Sequence, residues 1–140
     1  MNNLKRTADS ALILVVDDDS AIRLLMRESL EQAGLIVIEA KNGSEAIYLF
    51  AEKSPELILL DVKMPKMDGY EVCEQIRRRA DGKETPIIMV TGLEDDDSIE
   101  RAYQVGATDF ITKPVVWTIL SHRVRYLLRA GKAFKALRLN

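Results

Sequence analysis

Ala11–Val16 is an unbroken apolar run that stops abruptly on three aspartates, Asp17–Asp19. A strand of a parallel sheet covered by helices on both faces reads this way, because neither side of it meets water. The device recurs along the chain. Leu57–Leu60 ends on Asp61, Pro86–Val90 on Thr91 and Asp109–Thr112 on Lys113, with Leu35–Ile38 as one more short run. Helical spacing fills the intervals. Ile22, Leu25, Met26, Ser29, Leu30 and Ala33 form one stripe stopped by Gly34, and Ala46, Ile47, Leu49 and Phe50 form a second that ends before Pro55. Asp68-Gly69 opens a third helix running to about Arg79, Asp95–Val105 reads as a short acidic-capped fourth closed by Gly106, and the chain after Lys113 is helical to near its end. Five strand–helix pairs with short connections predict a three-layer α/β/α sandwich around a doubly wound, five-stranded parallel sheet. Ligand sites in such sheets lie beyond the C-terminal ends of the strands. Asp17, Asp18, Asp61, Thr91 and Lys113 all fall there, so four separate segments send polar groups to one edge.

The composition narrows the function classes. With 47% hydrophobic and 30% charged residues, the chain has the balance of a soluble globular protein. No apolar run approaches the roughly 18 residues of a membrane span, and the polar start of the chain lacks the apolar centre of a signal peptide. A cytoplasmic location and no membrane partner are therefore expected. One cysteine, Cys73, allows no internal disulfide, and with His122 as the only histidine a structural zinc site is not expected. The net charge of −2 conceals an asymmetry: residues 113–140 hold seven Lys or Arg and no acid, which leaves 13 basic and 22 acidic residues before them. The basic residues interleave with an apolar stripe, so they are expected to complement the helix C-terminus and the acidic body rather than bind nucleic acid.

Three carboxylates carry the chemistry. If strands one and three are neighbours, Asp17, Asp18 and Asp61 meet, and like charges that close need a cation or a proton between them. Hard oxygen ligands with room for water and a phosphate suit Mg²⁺. Helix capping would account for one aspartate, Asp19 if not the cap is Ser20, but not for an adjacent pair plus Asp61. Lys113 would find its partner in the same cluster, since a buried lysine is costly unless paired. Thr91 at the mouth of that pocket could donate its hydroxyl to a phosphoryl oxygen, although threonine also simply favours strands.

Val15-Val16-Asp17-Asp18-Asp19, the block Leu59–Gly69, Met89-Val90-Thr91-Gly92 and Thr112-Lys113-Pro114 together resemble the signature blocks of the response-regulator receiver family of two-component signalling, the CheY-like superfamily. The likeness spans about residues 11–128, in order and in spacing. It implies a sheet ordered 2-1-3-4-5, with strands one and three side by side as the charge argument requires. It makes Asp61 the phosphoacceptor, Asp18 a direct Mg²⁺ ligand, Asp17 a ligand mainly through a metal-bound water, and Lys63 a ligand through its backbone carbonyl. Thr91 and the Lys113 ammonium would hold phosphoryl oxygens, assisted by the backbone N–H groups of Val62 and Gly92. Phe110 matches an aromatic switch position, where without a hydroxyl it can act only by burial. The implied donor is a sensor histidine kinase or a histidine phosphotransfer protein. The expected reaction is self-modification, reversed by hydrolysis, with no separate substrate turned over. A phosphatase or phosphotransferase built on an Asp nucleophile would place a second Asp two residues later, where Lys63 stands, and a phosphorylation-independent module would have lost an acid, the Thr or the Lys.

The sequence divides into a tail at 1–10, a receiver domain at 11–128 and a helical extension at 129–140. Trp117, Leu120, Val124 and Leu127 are three or four apart and Phe134 follows seven later, whereas Gly131 weakens the extension by about 1 kcal/mol relative to Ala. Either the last helix frays after Leu128, or it continues as a connector to an output domain or as a dimer seam. His122–Ala130 is similar to linkers of regulators that carry cyclic-dinucleotide synthesis domains. Asp96, Asp97 and Glu100 on the fourth helix could meet Arg123, Arg125 and Arg129 on the fifth across a homodimer formed by the fourth helix, fifth strand and fifth helix.

Overall fold

The computed structural model describes residues 10–92 and 96–139, the side chains of 135, 138 and 139 excepted. The expected tail, save Ser10, and the expected helix start at Asp95 lie outside the described residues. The chain alternates strand and helix: β1 Leu12–Val16, α1 Ser20–Gln32, β2 Ile36–Ala40, α2 Gly43–Lys53, β3 Leu57–Leu60, α3 Gly69–Arg78, a 3₁₀ turn Ala80–Gly82, β4 Ile87–Thr91, α4 Asp96–Gln104, β5 Asp109–Thr112 and α5 Trp117–Leu139. All four strand pairs are parallel and the order is β2-β1-β3-β4-β5.

Side chains alternate across the sheet with the two-residue period of a strand. Leu14, Val16, Ile58, Leu60, Ile87 and Met89 pack with Phe50 of α2, Val72 and Ile76 of α3 and Ala102 of α4. Ile13, Val15, Leu57, Leu59, Ile88 and Val90 pack with Met26 and Leu30 of α1 and Leu120, Val124 and Leu128 of α5. Both faces are dry, which explains why β1, β3 and β4 read as continuous apolar runs.

Polar side chains fix where helices begin. Asp19 caps α1 by accepting from the N–H groups of Ala21 and Ile22, so the cap falls on Asp19 and not Ser20. Asn42 caps α2, and Asp68 with Glu71 closes a reciprocal capping box on α3. Gly34 follows α1 at φ 89, a left-handed conformation that glycine adopts without strain.

Several expected boundaries shift: β1 starts at Leu12 rather than Ala11, and β4 runs Ile87–Thr91 rather than Pro86–Val90. The strand read as Leu35–Ile38 is Ile36–Ala40, because the Leu35 N–H closes the end of α1 on Leu30 O and the ladder begins when Ile36 N–H reaches Ala11 O. The last helix does not end at Leu128: α5 is one helix of 23 residues passing Gly131.

Candidate functional site

Register alone brings the acids together. Val16 pairs with Leu60, so the residues that follow, Asp17 and Asp61, leave adjacent strands side by side, and Asp61 N–H donates to Val16 O at 2.9 Å. Asp17 and Asp61 are 0% and 5% exposed, while Asp18 is exposed at the mouth. One oxygen from each of the three carboxylates lies within 4.8 Å of the others. The Lys113 ammonium enters from the end of β5 and reaches Asp17 Oδ2 at 3.1 Å and Asp61 Oδ1 at 3.4 Å. Thr91 pairs with Thr112, and its carbonyl accepts the Lys113 N–H at 2.8 Å, which ties the ends of β4 and β5 at the site.

Electrostatics follow from the crowding. Burial, and then the neighbouring Asp17 carboxylate, push the Asp61 carboxyl from 3.8 up to about 6, although the Lys113 ammonium pulls the other way. Burial would lower Lys113, but the Asp61 and Asp17 carboxylates outweigh it and hold the ammonium above its ordinary range. A cluster of hard oxygen donors that strains against its own charge fits a small divalent cation that keeps part of its water. Asp17, Asp18 and Asp61 have that chemistry and that spacing.

Close packing behind Asp61 explains another residue. A Cβ on Gly69 would lie 2.3 Å from Asp61 O, so α3 can start against the end of β3 only with glycine there. Gly69 N–H donates to Val62 O at 2.8 Å and Lys66 takes φ 71, which shapes the loop that carries Val62 and Lys63. Val62 is buried, Lys63 exposed, and Gly92 lies exposed just past β4. Phe110 is half-buried against the core on the α3–α4 side and borders an open groove with Ile99, Tyr103 and Val116.

Not every expected residue points where the sequence placed it. Arg125 does not face outward toward a second copy: its guanidinium donates to Ala33 O at the end of α1. Arg123 bonds Asp109 of its own β5 at 2.9 Å. Sequence reading missed Arg23, whose Nη1 donates to Asp17 O at 2.7 Å, and Glu39, which receives Arg23 Nε at 3.0 Å. Neither belongs to a motif block, and nothing in their spacing signals the contact. A cavity of about 310 Å³ lined by Phe50, Pro55, Pro86 and Leu128 opens at the other end of the strands, far from the carboxylates.

Comparison with known proteins gives the family. The family model described as "Response regulator receiver domain" matches residues 13–125. "Probable transcriptional regulator ycf27" of Galdieria sulphuraria is 40% identical over 134 residues, covering 96% of this chain and 50% of that protein. The chain spans about half the length of the curated relatives it matches. Among solved structures, the chemotaxis protein CheY4 of Vibrio cholerae is 31% identical with a TM-score of 0.81, covering 84% of this chain and 98% of that one. A beryllofluoride-activated DrrB receiver domain is 36% identical with a TM-score of 0.77, covering 86% and 98%. Fold, strand order and sequence converge: the chain belongs to the response regulator receiver domain family and is a receiver domain of two-component signalling.

Proposed function

We propose that Asp61 is the phosphoacceptor and that Asp17, Asp18, Asp61 and the Lys63 carbonyl hold Mg²⁺ beside it. The observation that carries this reading is the meeting of three carboxylates and one ammonium, with Asp61 buried and aimed at the shared space. An ionised Asp61 oxygen attacks phosphorus in line, an acyl-phosphate bond forms, and the donor's P–N or P–O bond breaks as imidazole or acid leaves. The Lys113 ammonium favours the ionised carboxylate before attack and then holds a phosphoryl oxygen. Thr91 and the N–H groups of Val62 and Gly92 supply further donors, so most of the work is positioning and electrostatics. Bound Mg²⁺ supplies positive charge toward the oxygens of the transferring group. Hydrolysis later restores Asp61, and no separate substrate is turned over.

The phosphoryl donor is a histidine kinase or a histidine phosphotransfer protein. Once phosphorylated, the chain draws Thr91 toward the new oxygens and Phe110 inward, which reshapes the α4–β5–α5 surface for a second copy or for an output domain. An output domain on the length of chain the curated relatives have beyond this match would act on transcription, as the name of the ycf27 relatives suggests. The likeness of His122–Ala130 to linkers of cyclic-dinucleotide synthases gives a second candidate class of output. Beryllofluoride with Mg²⁺, followed by NMR, tests the pocket: shifts should centre on Asp61, Thr91 and Lys113 and vanish in Asp18→Ala. Unchanged spectra in the wild type would remove the basis for this reading.

A further inference from the structure

Asp17 is buried, and each of its polar groups has a named partner. Its N–H donates to Ala40 O at 3.2 Å, Oδ1 accepts from Asp19 N–H at 2.9 Å, and Oδ2 accepts from Lys113 at 3.1 Å. The carbonyl is left to a side chain, Arg23 Nη1, at 2.7 Å. The same guanidinium donates through Nε to Glu39 Oε1 at 3.0 Å, and Glu39 Oε2 receives Arg27 Nη1 at 2.6 Å. Glu39 lies on β2 one residue before Ala40, the residue that receives the Asp17 N–H. The contacts therefore close a ring: β2 holds the Asp17 amide from one side and, through Glu39 and Arg23, the Asp17 carbonyl from the other.

We infer that Arg23, oriented by Glu39, is a positioning residue for the metal-binding carboxylates, acting through the peptide that joins Asp17 to Asp18. This rests on the reading of Asp17, Asp18 and Asp61 as a Mg²⁺ site. Among the described residues the Asp18 carboxylate makes no hydrogen bond or ion pair, so what places it is its own backbone, held on either side by the Arg23 bond to Asp17 O and the Asp19 N–H bond to Asp17 Oδ1. A hydrogen bond from a charged donor is shorter and stronger than one between neutral groups. The contact also places a cation on the backbone of a segment that carries three aspartates. Arginine suits the task because its planar fork serves two acceptors at once, which a lysine ammonium on a mobile stem does less well. The Arg23 side chain is only 16% exposed, so both contacts are shielded from water.

Such supporting contacts change metal affinity more than they change the chemistry. Arg23→Ala should weaken Mg²⁺ binding by about 10-fold, while saturating Mg²⁺ restores the phosphorylation rate. Arg23→Lys should recover part of the loss, and Glu39→Gln should show a smaller loss than Arg23→Ala. The Arg23→Ala/Glu39→Ala pair should bind no more weakly than Arg23→Ala alone, because Glu39 acts through Arg23. In the metal-free protein, amide exchange at Asp17 and Asp19, whose N–H groups bond Ala40 O and Asp17 Oδ1, should speed up in Arg23→Ala. A clamp that merely staples α1 to β2 predicts a lower melting temperature with unchanged Mg²⁺ affinity and unchanged exchange at Asp17 and Asp19, and that result overturns the inference. Additive losses in the pair would do the same. If Arg23→Ala fails to fold, Glu39→Gln carries the test by the same two readouts. Asp18→Ala is the control: its loss of binding beside a normal Arg23→Ala refutes this inference alone, whereas normal binding in Asp18→Ala refutes the metal site beneath it.

Discussion

Asp61 shows at the scale of one residue how burying a carboxylate beside another costs stability. Its carboxyl titrates at about 6 in the folded chain against 3.8 for the free group, chiefly through burial and then through Asp17. The unfolded chain thus holds the ionised form more comfortably, by about 3 kcal/mol for a shift of this size. That penalty is present in full above pH 6 and disappears as the pH falls toward 3.8, where the carboxyl is protonated in both states. Without Mg²⁺, Asp61→Asn should therefore be the more stable protein at pH 7, by up to about 3 kcal/mol, with the difference closing in acid. Denaturant unfolding at several pH values checks this, and an Asn variant no more stable at pH 7 would contradict it. Gly69 gives the opposite case, a residue with no side chain on which the acid depends. Gly69→Ala forces a methyl against Asp61 O and should cost about 1–3 kcal/mol or more, seen as a lower melting temperature together with slower phosphorylation. Asp17, Asp61 and Thr91 stood out in sequence because each ends an apolar run, and Asp18 and Lys113 because each lies just beyond a strand. Arg23 and Glu39 did not, because a long side chain on α1 reaching a carbonyl just past β1 and a carboxylate on β2 leaves no periodic trace.

Among the elements, α5 separates what hydropathy can and cannot reveal. Leu120, Val124 and Leu128 recur every four residues and are buried against the sheet. Beyond Leu128 no described side chain is buried, yet the helix continues to Leu139. The apolar pattern found Leu120 and Val124 but took the partly buried Leu127 for Leu128 and ran on to Phe134, which is exposed; it could not decide the overhang, where propensity and the weak penalty of Gly131 compete. Removing residues after Ala130 should change stability by less than about 1 kcal/mol, as expected of surface changes. Leu120→Ala, which empties a fully buried site, should cost about 2–5 kcal/mol. Chemical denaturation of both variants checks the contrast, and a large loss on truncation would mean that the overhang belongs to the fold. Strand ends were misplaced for a related reason. Leu35 is as apolar as a strand residue, but its N–H is spent on the end of α1, and hydrogen bonding rather than hydropathy sets where β2 begins.

Across the whole molecule, parallel strands with helices on both faces bring Asp17, Asp61, Thr91 and Lys113 to one edge; the layered architecture was readable from the alternation of runs, the strand order only from the family resemblance. The surface that passes a signal on was less readable. Asp96, Asp97 and Glu100 are exposed on α4 as expected, but Arg125 turns to α1 and Arg123 is engaged by Asp109, so α5 offers a second copy less free charge than its sequence indicates. Exposed ion pairs contribute roughly 0–1 kcal/mol each. A dimer through α4, β5 and α5 should accordingly be weak, salt-sensitive and favoured by beryllofluoride with Mg²⁺. Sedimentation at low and high salt measures this, and identical monomers under every condition would show that the isolated chain does not signal by pairing. The most direct test of all is chemical. Incubation with a small acyl phosphate and Mg²⁺, followed by mass spectrometry with peptide mapping, should show one added phosphoryl group located on Asp61 and none in Asp61→Asn. Full labelling of Asp61→Asn, or a phosphoryl group mapped to any other residue, would contradict the assignment of Asp61 as the phosphoacceptor.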